Sequence, residues 1–266
     1  MNKGMSELEQ RFYFTLGEQG KRFFGINDIE AILHISPNHA RNLASDLAKK
    51  GISERVKRGL YVRVPESVIL KKSPFKEDMI LIASHLCEEY FLSHYSALQL
   101  HNLTDRYSNT VYLSSPKHQR NLTFYDNYYR FVKITKESWF GIGTMDYYNR
   151  KIKVSDLERT IIDVVDRPML SGGWTEVIEC LKNLESIDEK KLLHYIKRYN
   201  NKKTARIIGY LISHLLEDTI SNNFKKQIKK ISGNYNYYID KEEKGSYVKE
   251  WNLIIPNAIT KGLNAR

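Results

Sequence analysis

The sequence predicts an α+β protein in two parts, on three observations. Residues 1–66 read as three helices followed by a two-stranded ribbon. Residues 109–154 hold strand-like runs that carry much of the tyrosine, and from residue 155 the apolar positions return to helical spacing. A chain of 266 residues suits one large domain or two ordinary ones, and 41% hydrophobic content permits a proper core. The expected division is a first domain at 1–66, a linker at 67–76 and a larger mixed α+β domain at 77–266 with a helical C-terminal half. Pro65, Pro74 and a lysine pair mark the linker.

Residues 5–18 give the first helix. Gly20 and Gly25 bracket a connector to "INDIEAILHI", where Asn27 and Glu30 stand at the spacing of an N-cap and its acidic partner. Ile29, Ile32 and Leu33 form its apolar stripe, and His34-Ile35 close it. Ser36-Pro37 open the next helix, with a side-chain acceptor at the cap and a proline where no amide hydrogen is needed. In that third helix Ala40, Leu43, Ala44 and Leu47 share one face, while Asn38, Asn42, Ser45 and Lys49 point away with His39 and Arg41 at the margins. Gly51 ends it.

The ribbon is "ISERVKRGLYVRV". Ile52, Glu54 and Val56 alternate with Ser53 and Arg55; Leu60, Val62 and Val64 alternate with Tyr61 and Arg63. Gly59 supplies the positive φ of a tight turn. Three helices and a ribbon in this order spell a winged helix-turn-helix. Asn38, His39, Arg41, Asn42 and Ser45 are hydrogen-bonding residues in the N-terminal half of the third helix, where such helices meet base edges. Asn suits adenine and Arg suits guanine in the major groove. Lys49 and Arg55 extend this face, and Lys57 and Arg58 stand at the ribbon tip, in reach of phosphates or a minor groove. A solvated polar face and a charged surface hairpin are the bland readings. The Ser-Pro entry, the short helix before it and the ribbon behind it favour DNA.

Charge points the same way. Lys and Arg number 42 against 31 Asp and Glu, a net +11, as befits a chain with a polyanionic partner. Most of the excess falls beyond residue 70, where 31 cations face 23 acids, against 11 and 8 before it. Three clusters stand out there: Lys117, His118 and Arg120; Lys197, Arg198, Lys202, Lys203 and Arg206; and Lys225, Lys226, Lys229 and Lys230. Each alone fits a solvated helix face, and together they could extend a phosphate-binding track.

The second part opens with two helices in 78–104, separated by Tyr90-Phe91-Leu92. Five strand-like runs follow: "TVYLSS", "NLTFYD", "YYRFVKI", "WFGIGTM" and "RKIKV". "SDLERTIIDVVDRP" begins with Ser155 and Glu158 at capping-box spacing and stops at Pro168. Further helical stripes run from Trp174 to Leu184, Leu192 to Ile196 and Ile207 to Leu216, then the basic segment "NNFKKQIKKI". "NYNYYID" and "KEWNLIIP" form a late strand pair.

Enzyme signatures are weak. There is no glycine-rich phosphate loop, H-E-x-x-H or nucleophile elbow. "SGGW" at Ser171–Trp174 has no paired acids at a useful distance to hold magnesium. "EEK" at Glu242–Lys244 has an E-x-K nuclease spacing but fits a solvated loop better, and His94 and His101 fit helix packing better than catalysis. Cys87 and Cys180 fall in apolar helical patterns and read as buried free thiols. No cofactor or metal is expected. The N-terminus lacks an apolar signal region and no apolar run could span a bilayer, so a cytoplasmic protein with no membrane partner is expected.

The ordered series "YFLSHYSALQLHNLTDRYSNTVYLSSPK", "WFG" and "VSDLERTIIDVVDRPMLSGGWTEVIECL" resembles the AbiEi family, antitoxins of type IV toxin–antitoxin systems that also regulate transcription. The basic turn, glycine and tyrosine of "VKRGLYVRV" match the family's habit too, while Asn102 in "HNLT" departs from the more usual "HGLT". The resemblance implies a non-enzymatic protein whose winged helix binds inverted repeats in its own double-stranded promoter DNA and represses it. It implies a C-terminal domain that neutralises a nucleotidyltransferase-like toxin without a stable complex. The expected assembly is a monomer in solution that binds DNA cooperatively. Two other readings stay open: a regulator whose second domain senses a ligand or binds a protein, and a nuclease.

Overall fold

The structure is a computed structural model that describes residues 4–240 and 243–264. Helices and strands open the chain, a larger sheet follows and the C-terminal half is mostly helical, as an α+β protein requires. The chain divides into two compact units, Met1–Glu88 and Glu89–Arg266.

In the first unit α1 (Glu7–Glu18) starts from Ser6, whose hydroxyl accepts the Glu9 amide while the Glu9 carboxylate accepts the Ser6 amide at 2.6 Å. Glu9 also takes the Lys50 ammonium at 2.6 Å, so a buried carboxylate ties α1 to the end of the third helix. Burial would raise the Glu9 pKa, but the hydrogen bonds from Lys50 and Ser6 outweigh it and hold the group below its ordinary value. Strand β1 (Phe23–Phe24) leads into α2 (Ile26–Leu33), and α3 (Pro37–Lys49) follows. Ser36 caps α3, its hydroxyl accepting the His39 amide at 3.4 Å. Phe12, Leu16, Phe24, Ile29, Leu33 and the Ala40–Leu47 stripe fill one core.

Strands β2 (Ser53–Lys57) and β3 (Leu60–Arg63) form the expected hairpin, with Gly59 at φ +78°. The ribbon has a third member, because β1 pairs antiparallel with β3, Phe23 opposite Val62 and Phe24 opposite Tyr61. The simple alternation expected along it fails. A bulge between Arg55 and Lys57 shifts the register, and Tyr61 and Val62 are both buried. The cap of α2 also differs from expectation. The helix starts a residue earlier, at Ile26, and Asp28 accepts the Gly25 amide at 2.8 Å, which leaves Asn27 and Glu30 on the helix surface.

The compact unit continues past residue 66. Helix α4 (Glu66–Lys71) lies within the stretch read as a linker, and α5 (Met79–Ser84) follows. Glu77, 6% exposed, pairs with Arg22 at 3.1 Å, and the His85 ring stacks on Phe23 at 4.0 Å. Residues distant in sequence thus complete the cover of β1. Cys87 lies just beyond α5, half-buried and outside any helix.

The second unit is built on six strands: β4 (Phe91–Leu92), β5 (Thr110–Ser115), β6 (Leu122–Phe124), β7 (Asn127–Lys133), β8 (Ile142–Tyr147) and β9 (Arg150–Ser155). Their order is β6-β7-β5-β4-β9-β8, with β5–β7 and β4–β9 parallel and the other pairs antiparallel. Helix α6 (His94–Leu100) follows β4, and α7 (Leu157–Asp166) follows β9. Asp156, not Ser155, caps α7 by accepting the Arg159 amide at 3.0 Å. Ser155 is buried within β9 instead, its hydroxyl against Thr160. Glu158 accepts the Asp188 amide at 3.0 Å and pairs with Lys191 at 2.7 Å.

Helices α8 (Gly173–Lys182), α9 (Glu189–Tyr199), α10 (Lys202–Leu215) and α11 (Asn222–Ser232) complete the helical part, and their apolar stripes share a core with α7. The double glycine of "SGGW" serves the turn into α8, with Gly172 at φ +82° and Gly173 at φ +85°. Strand β12 (Leu253–Pro256) pairs parallel with β10 (Tyr237–Tyr238) and antiparallel with β11 (Gly245–Val248), a strand the sequence reading lacked. Helix α12 (Asn257–Asn264) packs Ile259 and Leu263 into the same core. Glu242 of the "EEK" motif lies outside the described residues. Among those residues no three His, Cys, Asp or Glu side chains cluster to hold a metal, and no helix is long and apolar enough to cross a membrane.

Candidate nucleic-acid interface

The first unit carries a groove of about 410 Å³ with walls from three elements. Asn27 and Glu30 come from α2, Arg41 and Ser45 from α3, and Arg55, Arg58, Gly59 and Tyr61 from the hairpin. A close backbone approach sets this geometry: a Cβ on Gly25 would stand 3.0 Å from the Gly59 carbonyl oxygen, so glycine lets the hairpin turn sit against the start of α2. The turn cannot drift from the helices without losing that contact.

Four of the expected site residues, Arg41, Ser45, Arg55 and Arg58, therefore meet in one place. Arg41, Arg55 and Arg58 are exposed. Among the described residues Arg55 and Arg58 make no hydrogen bond or ion pair, so both guanidiniums keep their donors for an incoming anion. Arg41 is held along the helix by Asn38, whose carbonyl oxygen accepts from Nη1 at 2.7 Å. Asn38, His39 and Asn42 are exposed on α3. Lys49 is exposed in an i,i+3 pair with Asp46 at 3.3 Å.

Lys57 has a different place. Its ammonium donates to the Leu86 carbonyl and does not line the groove. The bulge before it explains why: Arg55 and Lys57 are two apart yet do not share one surface. Asn27 and Glu30 are groove residues the sequence reading missed, because their spacing resembles a cap. The signal that separates the two uses is the Gly-x-x-Asp spacing of Gly25 and Asp28, which supplies the actual cap.

Residues 11–64 match the AbiEi_4 family model, described as "Transcriptional regulator, AbiEi antitoxin". The AbiEi match thus covers α2, α3 and the hairpin, every element that walls the groove. It does not reach the stretch from Tyr90 to Leu181 on which the sequence resemblance chiefly stood. In fold the chain is similar to the crystal structure of the RV2827C protein from Mycobacterium tuberculosis, with a TM-score of 0.67 at 12% identity over 98% of this chain and 95% of that one. No curated protein matches this chain.

The basic residues of the second unit separate into several kinds. Arg120 and Lys197 are exposed, and Lys117 is exposed but paired with Glu89. Arg198 lies over the Phe140 ring at 4.6 Å, Lys202 over Tyr235 at 5.9 Å, and Lys203 donates to the Ile239 carbonyl at 3.2 Å. Arg206 is not a surface residue. It is 2% exposed and donates to the Gly233 carbonyl, and burial depresses its pKa. The physical reason is that α10 is covered from Thr204 to Ser213, so a charge that looks solvent-facing in sequence is enclosed.

Proposed function

We propose that the protein is an autoregulating antitoxin whose first unit binds double-stranded promoter DNA as a winged helix-turn-helix. The observation that carries the reading is the convergence of Arg41, Ser45, Arg55 and Arg58 on one groove beside the exposed face of α3. In this reading α3 enters the major groove, with Asn38, Arg41 and Asn42 reading base edges and His39 and Ser45 beside them. Arg55 and Arg58 neutralise phosphates or enter a minor groove, Lys49 adds a backbone contact, and Lys57 steadies the hairpin near its tip. The target is the inverted repeats of its own promoter, bound cooperatively by a chain that is a monomer in solution. Exposed Lys117, Arg120, Lys197, Arg198, Lys202 and Lys203 of the second unit extend the electrostatic contact. The same unit opposes a nucleotidyltransferase-like toxin without forming a stable complex, in the cytoplasm and with no catalytic step of its own.

Two experiments test this. Full-length protein is titrated against its upstream DNA and a scrambled duplex at several salt concentrations; tighter binding to the upstream DNA supports the reading, and equal affinity refutes sequence recognition. Co-expression with a neighbouring nucleotidyltransferase-like gene is scored for growth. Rescue is expected, and continued arrest at equal toxin level removes the antitoxin role.

A further inference from the structure

The small sheet of the second unit turns one face to the core and the other to solvent. In register, Tyr237, Leu253 and Val248 form one row across β10, β12 and β11, and Tyr238, Ile254 and Tyr247 form the next. Successive residues of a strand point to opposite faces, so the two rows part. The first packs into the core, where Leu253 is fully buried. The second faces out, with Tyr238 and Tyr247 42% and 51% exposed and half-buried Ile254 between them. Neighbouring strands lie about 4.8 Å apart, which roots the two rings about 10 Å apart on one surface.

A lone exposed tyrosine on a strand is ordinary, but this row is held in place. The Tyr247 hydroxyl donates to the Asn252 and Asn236 side-chain oxygens at 2.8 and 3.3 Å, which ties down the phenol tip and leaves the ring exposed. Those contacts leave the amide nitrogens of Asn236 and Asn252 without a partner among the described residues, as donors beside the row. Exposed Tyr235 precedes β10 and has the Lys202 ammonium 5.9 Å from its ring centre. Charge is also sorted along the sheet. Tyr235, Asn236, Asn252 and Lys249 lie at the end where β12 begins, whereas Asp240 and Glu243 lie in the connection at its other end. At the first end Glu250 is paired with Lys229, while Lys202 and Lys249 form no ion pair among the described residues.

We propose that this face binds single-stranded RNA. Every base has a π-face that stacks on an exposed tyrosine, whatever the base. Tyr238, Ile254 and Tyr247 take unstacked bases, and Lys202 and Lys249 meet the phosphates at the start of β12. The asparagine amides donate to a ribose 2′-hydroxyl or a base carbonyl, the contacts that single-stranded RNA offers. Unpaired lysines beside the aromatic row favour this polyanion over a protein surface. A duplex keeps its base faces inside the stack, so the row is separate from the reading of promoter DNA.

The test titrates full-length protein into a short labelled oligouridylate, its deoxy counterpart and the upstream duplex, read by fluorescence anisotropy. Oligouridylate is expected to bind about fivefold more tightly than the deoxy strand, the factor one net hydrogen bond supplies. Tyr238→Ala and Tyr247→Ala are each expected to weaken the RNA about fivefold to a hundredfold, and Tyr238→Phe to keep it, all with duplex binding unchanged. Lys249→Met should lower the salt slope for RNA by about 0.7. Arg58→Ala should do the reverse of the tyrosine variants, weakening the duplex and sparing the RNA, so failure here and failure of the winged-helix reading are told apart. Both rings are exposed, so Tm is expected to hold; should one alanine variant melt early, the other decides. No binding of oligouridylate, equal or tighter binding of the deoxy strand, or RNA affinity unchanged in both alanine variants overturns the proposal. Alanine variants that spare RNA but change the molar mass in sedimentation assign the face to a protein contact and overturn it too.

Discussion

Arg58 on the hairpin of the first unit and Arg159 on α7 of the second carry the same guanidinium in opposite settings. Arg58 is exposed and has no partner among the described residues, while Arg159 is 0% exposed, salt-bridged, bonded to two carbonyls and 4.5 Å from the Phe140 ring centroid. A buried cation is paid for by fixed partners, so removing it strands the groups that compensate it. An exposed one keeps its hydration and its donors, costs the fold little and remains available to a phosphate. Basic residues in a basic chain therefore divide by burial into those that hold the fold and those that can bind.

The sharpest way to break that contrast is Arg159→Met. Losing the guanidinium leaves Asp163 buried without its partner and is expected to cost about 3–5 kcal/mol. Trp139, Trp174 and Trp251 all lie in the second unit, so urea unfolding followed by tryptophan fluorescence reads that unit alone. A loss below about 1 kcal/mol would mean that the pair is not what stabilises α7.

Next in size is Arg41→Ala, expected to lose about 1–3 kcal/mol of discrimination between the promoter and a scrambled duplex. Competition binding measures it, and an equal loss on both duplexes would move Arg41 from base reading to phosphate contact.

The Glu9–Lys50 pair stands between the two cases, since a buried carboxylate and a half-buried ammonium clamp α1 to the end of α3 in the first unit. Glu9→Gln is expected to cost about 1–2 kcal/mol at neutral pH. Because the folded pKa of Glu9 lies below its ordinary 4.5, its contribution is complete above that value and is lost as pH falls through the lowered folded pKa. The difference between native and variant, followed by circular dichroism, should therefore shrink on acidification; a constant difference would assign the cost to packing.

The smallest effect on stability is expected for Arg58→Ala, within about 0.5 kcal/mol, while affinity falls alike on all sequences and the salt slope drops by about 1. Lys57→Ala should leave the slope unchanged, since its ammonium already serves Leu86. A drop in slope for Lys57 as large as that for Arg58 would show that the Leu86 contact opens on DNA.

The local elements were legible because their signals are local. Ser36-Pro37 announced α3, the Ala40–Leu47 stripe its buried face and Gly59 the hairpin turn. The errors came where a partner distant in sequence decided the outcome. Strand β1 exists because β3 pairs with it, and Glu77 and His85 join the first unit because Arg22 and Phe23 meet them there. Two errors were of register: Asn27 and Ser155 were each read as caps, where Gly25 and Asp156 hold those places.

The sequence by itself determined the α+β class, the order of helices and hairpin, and the exposed polar face of α3, since periodicity, caps and turn residues act over a few positions. Only the tertiary structure decided which cations are free. Arg206 and Arg159 look no different from Arg58 in composition, but burial depends on what packs around a helix from elsewhere in the chain. The same long-range packing gathered Arg41, Arg55 and Arg58 into one groove and turned Lys57 away from it.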